Sequence, residues 1–140
     1  MNIHSAKASE IGDLVNFYRI TDYGGSVAPA DQVVYATEEG RIVGAGRLSE
    51  EKDVLVLRGM RVLSEHRGTG VGNAILDLLV IKGGSRDCYC IPYRYLKQFY
   101  ADKGFDKILP SEAPDFLRAR FGAYRARGLD VILMRKKPIA

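Results

Sequence analysis

The chain has 140 residues and a mass of 15.5 kDa, the size of one ordinary domain, which leaves no room for two full ones. Apolar residues make up 46% and charged residues 27%, the average of globular proteins, so the composition is not that of a disordered chain. The net charge of +4 is a property of the C-terminal end: from Asp115 onward seven Lys/Arg stand against two Asp, while the first 114 residues carry 14 basic and 15 acidic groups.

Residues Glu10 to Arg19 place Ile11, Leu14, Val15 and Tyr18 at helical spacing, with Ser9 as N-cap and His4 in a first strand before them. Ile20 to Asp31, with Asp22, Gly24, Gly25, Ser26 and Pro29, reads as loop. Gln32 to Thr37 is predicted as a strand and Glu38 to Gly40 as a turn. Arg41 to Leu48 is a second strand, whose Gly44 and Gly46 suggest a bulge or a close backbone neighbour. After a turn at Ser49 to Lys52, a long strand runs from Asp53 to Leu63 with Gly59 in its middle, completing an antiparallel meander.

A glycine-rich stretch to Gly72 leads into a helix from Asn73 to Lys82, half-buried through Ile75, Leu78 and Leu79, and stopped by Gly83 and Gly84. Arg86 to Ile91 is a short strand. Tyr93 to Lys103 is a helix with Leu96, Phe99 and Tyr100 on one face, ended by Gly104. Phe105 to Leu109 is a strand, Pro114 to Arg127 a helix with Leu117, Phe121 and Tyr124 inward, and Leu129 to Met134 a last strand.

Cys88 and Cys90 lack the spacing of a zinc site and are too few for a disulfide framework; two small buried hydrophobes in a reducing compartment are expected. Met1 to Ser9 shows no signal-peptide pattern, and no stretch reaches the roughly 18 apolar residues of a membrane span, so a cytoplasmic protein away from membranes is expected.

Chemistry concentrates between Arg58 and Leu79. Here a glycine-broken strand is followed by Glu65-His66-Arg67-Gly68-Thr69-Gly70-Val71-Gly72 and a helix. Three glycines in five residues at a helix N-terminus leave amide N–H groups pointing outward at the positive end of the dipole, an anion site suited to a pyrophosphate. No lysine follows, as a P-loop would need, and Asn73 stands where a dinucleotide fingerprint needs its third glycine.

The loop instead fits [Q/R]-x-x-G-x-[G/A], filled by Arg67, Gly70 and Gly72, and resembles the acetyl-coenzyme A loop of the GNAT N-acetyltransferase superfamily. Met60-Arg61-Val62 before it and Phe99-Tyr100-Ala101-Asp102-Lys103-Gly104-Phe105 after it match further family elements. The resemblance implies a single domain over 1–140 of mixed α/β (α+β) class. Its largely antiparallel central sheet would have six to seven strands, helices on both faces and a splayed parallel strand pair, with space between 19 and 31 for one helix fewer than usual.

It also implies N-acetyl transfer from acetyl-coenzyme A to a primary amine of a small molecule or peptide, by direct attack through a tetrahedral intermediate. The pyrophosphate would lie on the loop, giving Arg67, Gly68, Thr69, Gly70, Val71, Gly72 and Asn73 as cofactor-binding residues. Met60, Arg61 and Val62 would bind the pantetheine arm through their backbone and stabilise the oxyanion. Tyr100 matches the tyrosine that protonates the departing thiolate.

The acceptor would meet Asp22, Tyr23 and Tyr93. A general base is not visible: Arg58 and Arg61 stand where many members carry an acid, and His66 occupies a surface position beside the loop. Cys88 and Cys90, with no histidine paired to them, are not expected to be nucleophiles. A rival reading is a non-catalytic coenzyme A-binding regulator. Another, nucleic-acid binding by Arg118 to Lys137, is not expected. A homodimer through the 115–134 segment is open, and no metal site is expected.

Overall fold

The computed structural model describes residues 1–23 and 25–137; Gly24 of the expected loop, and residues 138–140 of the expected domain, lie outside them. The chain forms a mixed α/β fold of seven largely antiparallel strands with helices, grouped into two compact units, Met1–Gly84 and Ser85–Ala140.

The first unit is the meander with two helices. Strand β1 (Asn2–Ser5) pairs with β2 (Gln32–Glu38), β2 with β3 (Arg41–Glu51) and β3 with β4 (Val54–Val62), all antiparallel. Helix α1 (Ile11–Ile20) follows β1, and α2 (Val71–Gly83) follows β4. Period-two alternation sends successive side chains to opposite faces. On one face Val33, Tyr35 and Ala45 pack with Leu14, Phe17 and Tyr18 of α1. On the other, α2 lies so close that a methyl group on Gly44 would come within 2.8 Å of Val71 Cγ1, and one on Gly46 within 2.9 Å of Leu79 Cδ1. The two strand glycines therefore mark a close neighbour, as their place in β3 suggested. The hydroxyl of Tyr35 donates to Glu10 Oε2, tying the start of α1 to β2.

Helix α1 begins at Ile11, one residue later than its pattern suggests, after a turn of 3-10 helix (Ala8–Glu10) that contains Ser9, which therefore caps nothing. Its inward stripe is Leu14, Phe17 and Tyr18, and Val15 is 50% exposed. The second hairpin also turns later than expected. Ser49 to Glu51 continue β3, and the reversal falls on Lys52 and Asp53, both with positive φ (48° and 70°), the conformation that a two-residue hairpin needs. Helix α2 starts at Val71 rather than Asn73.

The middle of β4 carries the irregularity that positions the rest. Arg47 pairs with Arg58 and Ala45 with Arg61, so Gly46 alone spans Gly59 and Met60. This is a β-bulge, one extra residue on β4. Gly59 sits at φ +66°, and a Cβ there would lie 2.9 Å from the hydroxyl of Tyr18. Arg58 and Arg61 are three apart and would ordinarily face opposite ways; the extra residue turns both toward the α1 face, beside Arg47.

The second unit holds β5 (Cys88–Cys90), α3 (Lys97–Ala101), β6 (Asp106–Lys107), α4 (Asp115–Ala126) and β7 (Met134–Lys136). Strand β7 lies between β5 and β6, antiparallel to both. These elements are shorter than their patterns. The 93–103 helix is a 3-10 turn (Arg94–Leu96) leading into α3. Of the expected last strand only Met134 belongs to β7; Val131 makes a single bridge to Tyr93, and Ile132 N–H donates to the Pro92 carbonyl at 2.9 Å. Apolar runs such as Val131 to Met134 are buried whether or not they form a ladder, so burial alone overstates strand length.

A Gly59→Ala substitution should cost about 2 kcal/mol, because it combines a left-handed backbone with contact on the buried Tyr18 hydroxyl. Urea denaturation measures this, and an unchanged midpoint would show that the bulge does not require glycine.

Candidate functional site

Two features of the first unit meet at the end of β4. One is the loop. Leu63 N–H bonds back to the Val43 carbonyl (2.9 Å), a 3-10 turn follows at Ser64–His66, and the chain then enters the glycine stretch. Gly68 (φ +77°) and Gly70 (φ +90°) are both left-handed, and Gly70 is the N-cap of α2. No side chain caps the helix, and its first turn carries no acid. The first helical bond is Ala74 N–H to the Gly70 carbonyl (3.0 Å), so the amides of Val71, Gly72 and Asn73 have no intrahelical acceptor. Nothing lies within 4 Å of where a Cβ would stand on Gly68 or Gly70, and residues 67–70 are exposed. The result is an open cradle of amide donors at a positive helix end, which fits a pyrophosphate.

Of the expected cofactor-binding residues, Met60, Arg61 and Val62 end β4, and Arg67, Gly68, Thr69, Gly70, Val71, Gly72 and Asn73 form the loop and the first turn of α2. Arg67 is tied into the backbone, its Nε donating to the Val62 carbonyl at 3.4 Å, and the Thr69 hydroxyl donates to the His66 carbonyl. His66 lies in the 3-10 turn.

The other feature is a charged array on the α1 face of β3 and β4. Arg47 is 1% exposed. Its Nη1 reaches Asp31 Oδ2 at 2.9 Å and Ser49 Oγ at 2.8 Å, and its Nη2 donates to the Tyr23 hydroxyl at 2.6 Å. Asp31 Oδ2 also accepts from Ala28 N–H at 2.9 Å, so this carboxylate fixes the end of the α1–β2 loop on β3. Tyr23 is the hub. Its ring lies 4.8 Å from that of Tyr18, and the guanidiniums of Arg47 and Arg61 stand 5.6 and 5.1 Å from its centroid. Arg58 faces Glu51 at 3.7 Å. Burial pushes the Tyr18 phenol well above its ordinary pKa, with Arg47 pulling the other way, so it stays protonated at neutral pH.

Of the expected acceptor residues in this unit, Tyr23 enters the array. Asp22 is exposed, at φ +62°, and ends α1 without joining it. Tyr18, Asp31, Arg47 and Ser49 were not foreseen as site residues. The available signal was Arg47: a charged residue in the middle of a run, Val43 to Ser49, in which every residue is buried.

In the second unit Tyr100 is buried and packs edge-on against Phe99 (5.0 Å) and Phe105 (5.9 Å). Gly104 (φ +95°) reverses the chain so that Phe105 N–H bonds to the Tyr100 carbonyl at 3.2 Å. The Phe-Tyr-x-x-x-Gly-Phe element is therefore a compact aromatic turn that fixes the Tyr100 ring. Tyr93 is partly exposed and stacks on the exposed Tyr95 at 5.8 Å. Cys88 and Cys90 are buried free thiols, and burial pushes the Cys90 thiol up, away from the thiolate a nucleophile needs. Part of the C-terminal basic charge is neutralised locally: Arg135 bonds Asp87 at 2.7 Å and Arg118 pairs with Asp115.

The bulged strand, amide cradle and helix define a coenzyme A-dependent acetyltransferase type of fold, and comparison with known proteins agrees. The model of the acetyltransferase (GNAT) domain matches residues 29–107, so the chain belongs to the GNAT acetyltransferase family, the class that uses acetyl-coenzyme A. No curated protein sequence matches it.

Among solved structures it is similar to N-acetylglutamate synthase from Neisseria gonorrhoeae complexed with coenzyme A and N-acetyl-glutamate. The TM-score is 0.71 at 15% identity, over 99% of this chain but 35% of that one. It is similar to Escherichia coli ElaA, with TM-score 0.71 at 13% identity over 97% of this chain and 99% of that one. It is also similar to aminoglycoside 6'-acetyltransferase type Ii, with TM-score 0.70 at 20% identity over 100% of this chain and 99% of that one.

Asp31→Ala should destabilise the protein by about 3 kcal/mol, since it leaves Arg47 charged and buried without its carboxylate. Chemical denaturation reads this directly; wild-type stability in the variant would mean that the pair is not buried in solution.

Proposed function

We propose that the protein transfers an acetyl group from acetyl-coenzyme A to a primary amine of a small molecule or peptide, by direct attack. The observation that carries this reading is the open amide cradle of residues 68–73, which follows β4 after one 3-10 turn. A pyrophosphate there would accept from the amides of Val71, Gly72 and Asn73, and the pantetheine arm would follow the backbone of Met60 to Val62.

The amine nitrogen attacks the thioester carbon, and a backbone N–H of that segment stabilises the oxygen that becomes negative. Collapse breaks the carbon–sulfur bond, and the Tyr100 phenol gives its proton to the leaving thiolate. Asp31 is held by Arg47 and Glu51 lies beside Arg58, so neither is an available base. The amine loses its proton to solvent, and Tyr100 recovers one from there.

Calorimetry should show acetyl-coenzyme A binding to the wild type, weakened at least tenfold by Gly70→Glu, which places a carboxylate and a strained backbone in the cradle. Wild type that does not bind would overturn the proposal. Tyr100→Phe should lower kcat by about a hundredfold with cofactor affinity kept; unchanged turnover would remove the general-acid role alone. The two paired carboxylates also give weight to a non-catalytic coenzyme A-binding regulator, which tight binding without turnover of any amine would favour.

A further inference from the structure

We propose that the acceptor amine carries a carboxylate, received by Tyr18, Arg47 and Arg61 around the ring of Tyr23; this rests on the acetyl-transfer reading above. Two buried side-chain polar atoms among the described residues lack a hydrogen-bond partner, Tyr18 Oη and Arg47 Nε. They do not fall in unrelated places. Both belong to residues packed on Tyr23, on the same face of the same sheet. A buried polar group left unpaired is costly, and two in one cluster mark a place where a partner is due.

Their chemistry says which partner. Arg47 Nε–H can only donate. The Tyr18 phenol, kept protonated by its burial, has a proton to give. A third set of donors is supplied by Arg61, half-buried over the Tyr23 ring, whose one hydrogen bond among the described residues goes to the carbonyl of Met60 at 3.2 Å. Arg61 has no acidic partner there, whereas Arg47 has Asp31 and Arg58 has Glu51. The array therefore holds three guanidiniums against two carboxylates.

One uncompensated positive charge and two unfilled donors call for a monoanion with several acceptor lone pairs, which describes a carboxylate. An ammonium has the wrong sign for Arg61 and no lone pair for either donor. The arrangement also has a direction: Tyr23 and Arg61, both half-buried, form the rim, and Tyr18 and Arg47 the floor.

The test uses the wild-type protein, acetyl-coenzyme A, and the twenty protein amino acids, each against its amide, with thiol release as readout. At least one acid should be acetylated with kcat/KM tenfold or more above that of its amide. Tyr18→Phe removes only a hydroxyl that has no hydrogen-bond partner among the described residues, so it should keep wild-type thermal stability while raising KM for the acid about tenfold, with little change in kcat or in activity on the amide. Arg61→Gln should raise the same KM by at least as much.

Amides used as well as acids, no acid used at all, or a Tyr18→Phe enzyme with unaltered KM would overturn the carboxylate pocket. Calorimetry with acetyl-coenzyme A in the same preparations separates the two levels: wild type that fails to bind it overturns acetyl transfer itself, whereas binding with the wrong acceptor preference overturns this inference alone.

Discussion

The β-bulge at Gly59 is the constraint on which the site depends. Without the extra residue, Arg58 and Arg61 would point to opposite faces of β4, and Arg61 would not stand over Tyr23. Without a glycine there, the Tyr18 phenol would have no space beside the strand. One left-handed residue thus sets both the spacing of the guanidiniums and the place of the Tyr18 phenol beside the strand, and the strand that carries it leads through one 3-10 turn to the amide cradle. Bulges re-aim side chains in this way wherever a sheet must present a site.

The two halves of the first unit's site use different electrostatics. The cradle relies on backbone amides and the helix dipole, with no basic side chain in its first turn. This suits a ligand that must bind and leave in each cycle. The Tyr23 array relies on full charges taken out of water, with Arg47 held by Asp31, Ser49 and Tyr23 at once. Burying such a group is worthwhile only when its bonds are satisfied. The two buried donors without a partner among the described residues, Tyr18 Oη and Arg47 Nε, together with Arg61, are what set the array apart from an ordinary buried ion pair.

Much of the fold was legible in the chain. The hairpins, the glycine that breaks β4 and the cradle with its flanking elements could be read from the spacing of apolar residues and glycines, because each reports a local backbone requirement. The shorter elements of the second unit were overstated, since Val131 to Leu133 are buried with no more strand pairing than the single bridge of Val131. The site divided the same way. Gly68 to Asn73 and the aromatic turn of Tyr100 are local motifs and could be found. The Arg47 cluster joins residues 18, 23, 31, 47 and 61, far apart in sequence, through a register shift that no local pattern encodes. Asp22, chosen beside Tyr23 as an acid in the same loop, points to solvent because the helix ends on it in a left-handed conformation.

The fold shared with an N-acetylglutamate synthase and an aminoglycoside acetyltransferase, at nearly equal TM-scores, does not choose an acceptor; the proposed carboxylate preference rests on the side chains around Tyr23. Coenzyme binding at the α2 cradle is the proposal on which acetyl transfer and the acceptor site both depend. The most direct measurement is a titration of isotopically labelled protein with acetyl-coenzyme A, followed by amide chemical shifts. The largest changes are expected at Gly68, Gly70, Gly72 and Asn73, extending into Met60 to Val62. Absence of change there, or changes centred on the basic C-terminal helix instead, would contradict the proposal.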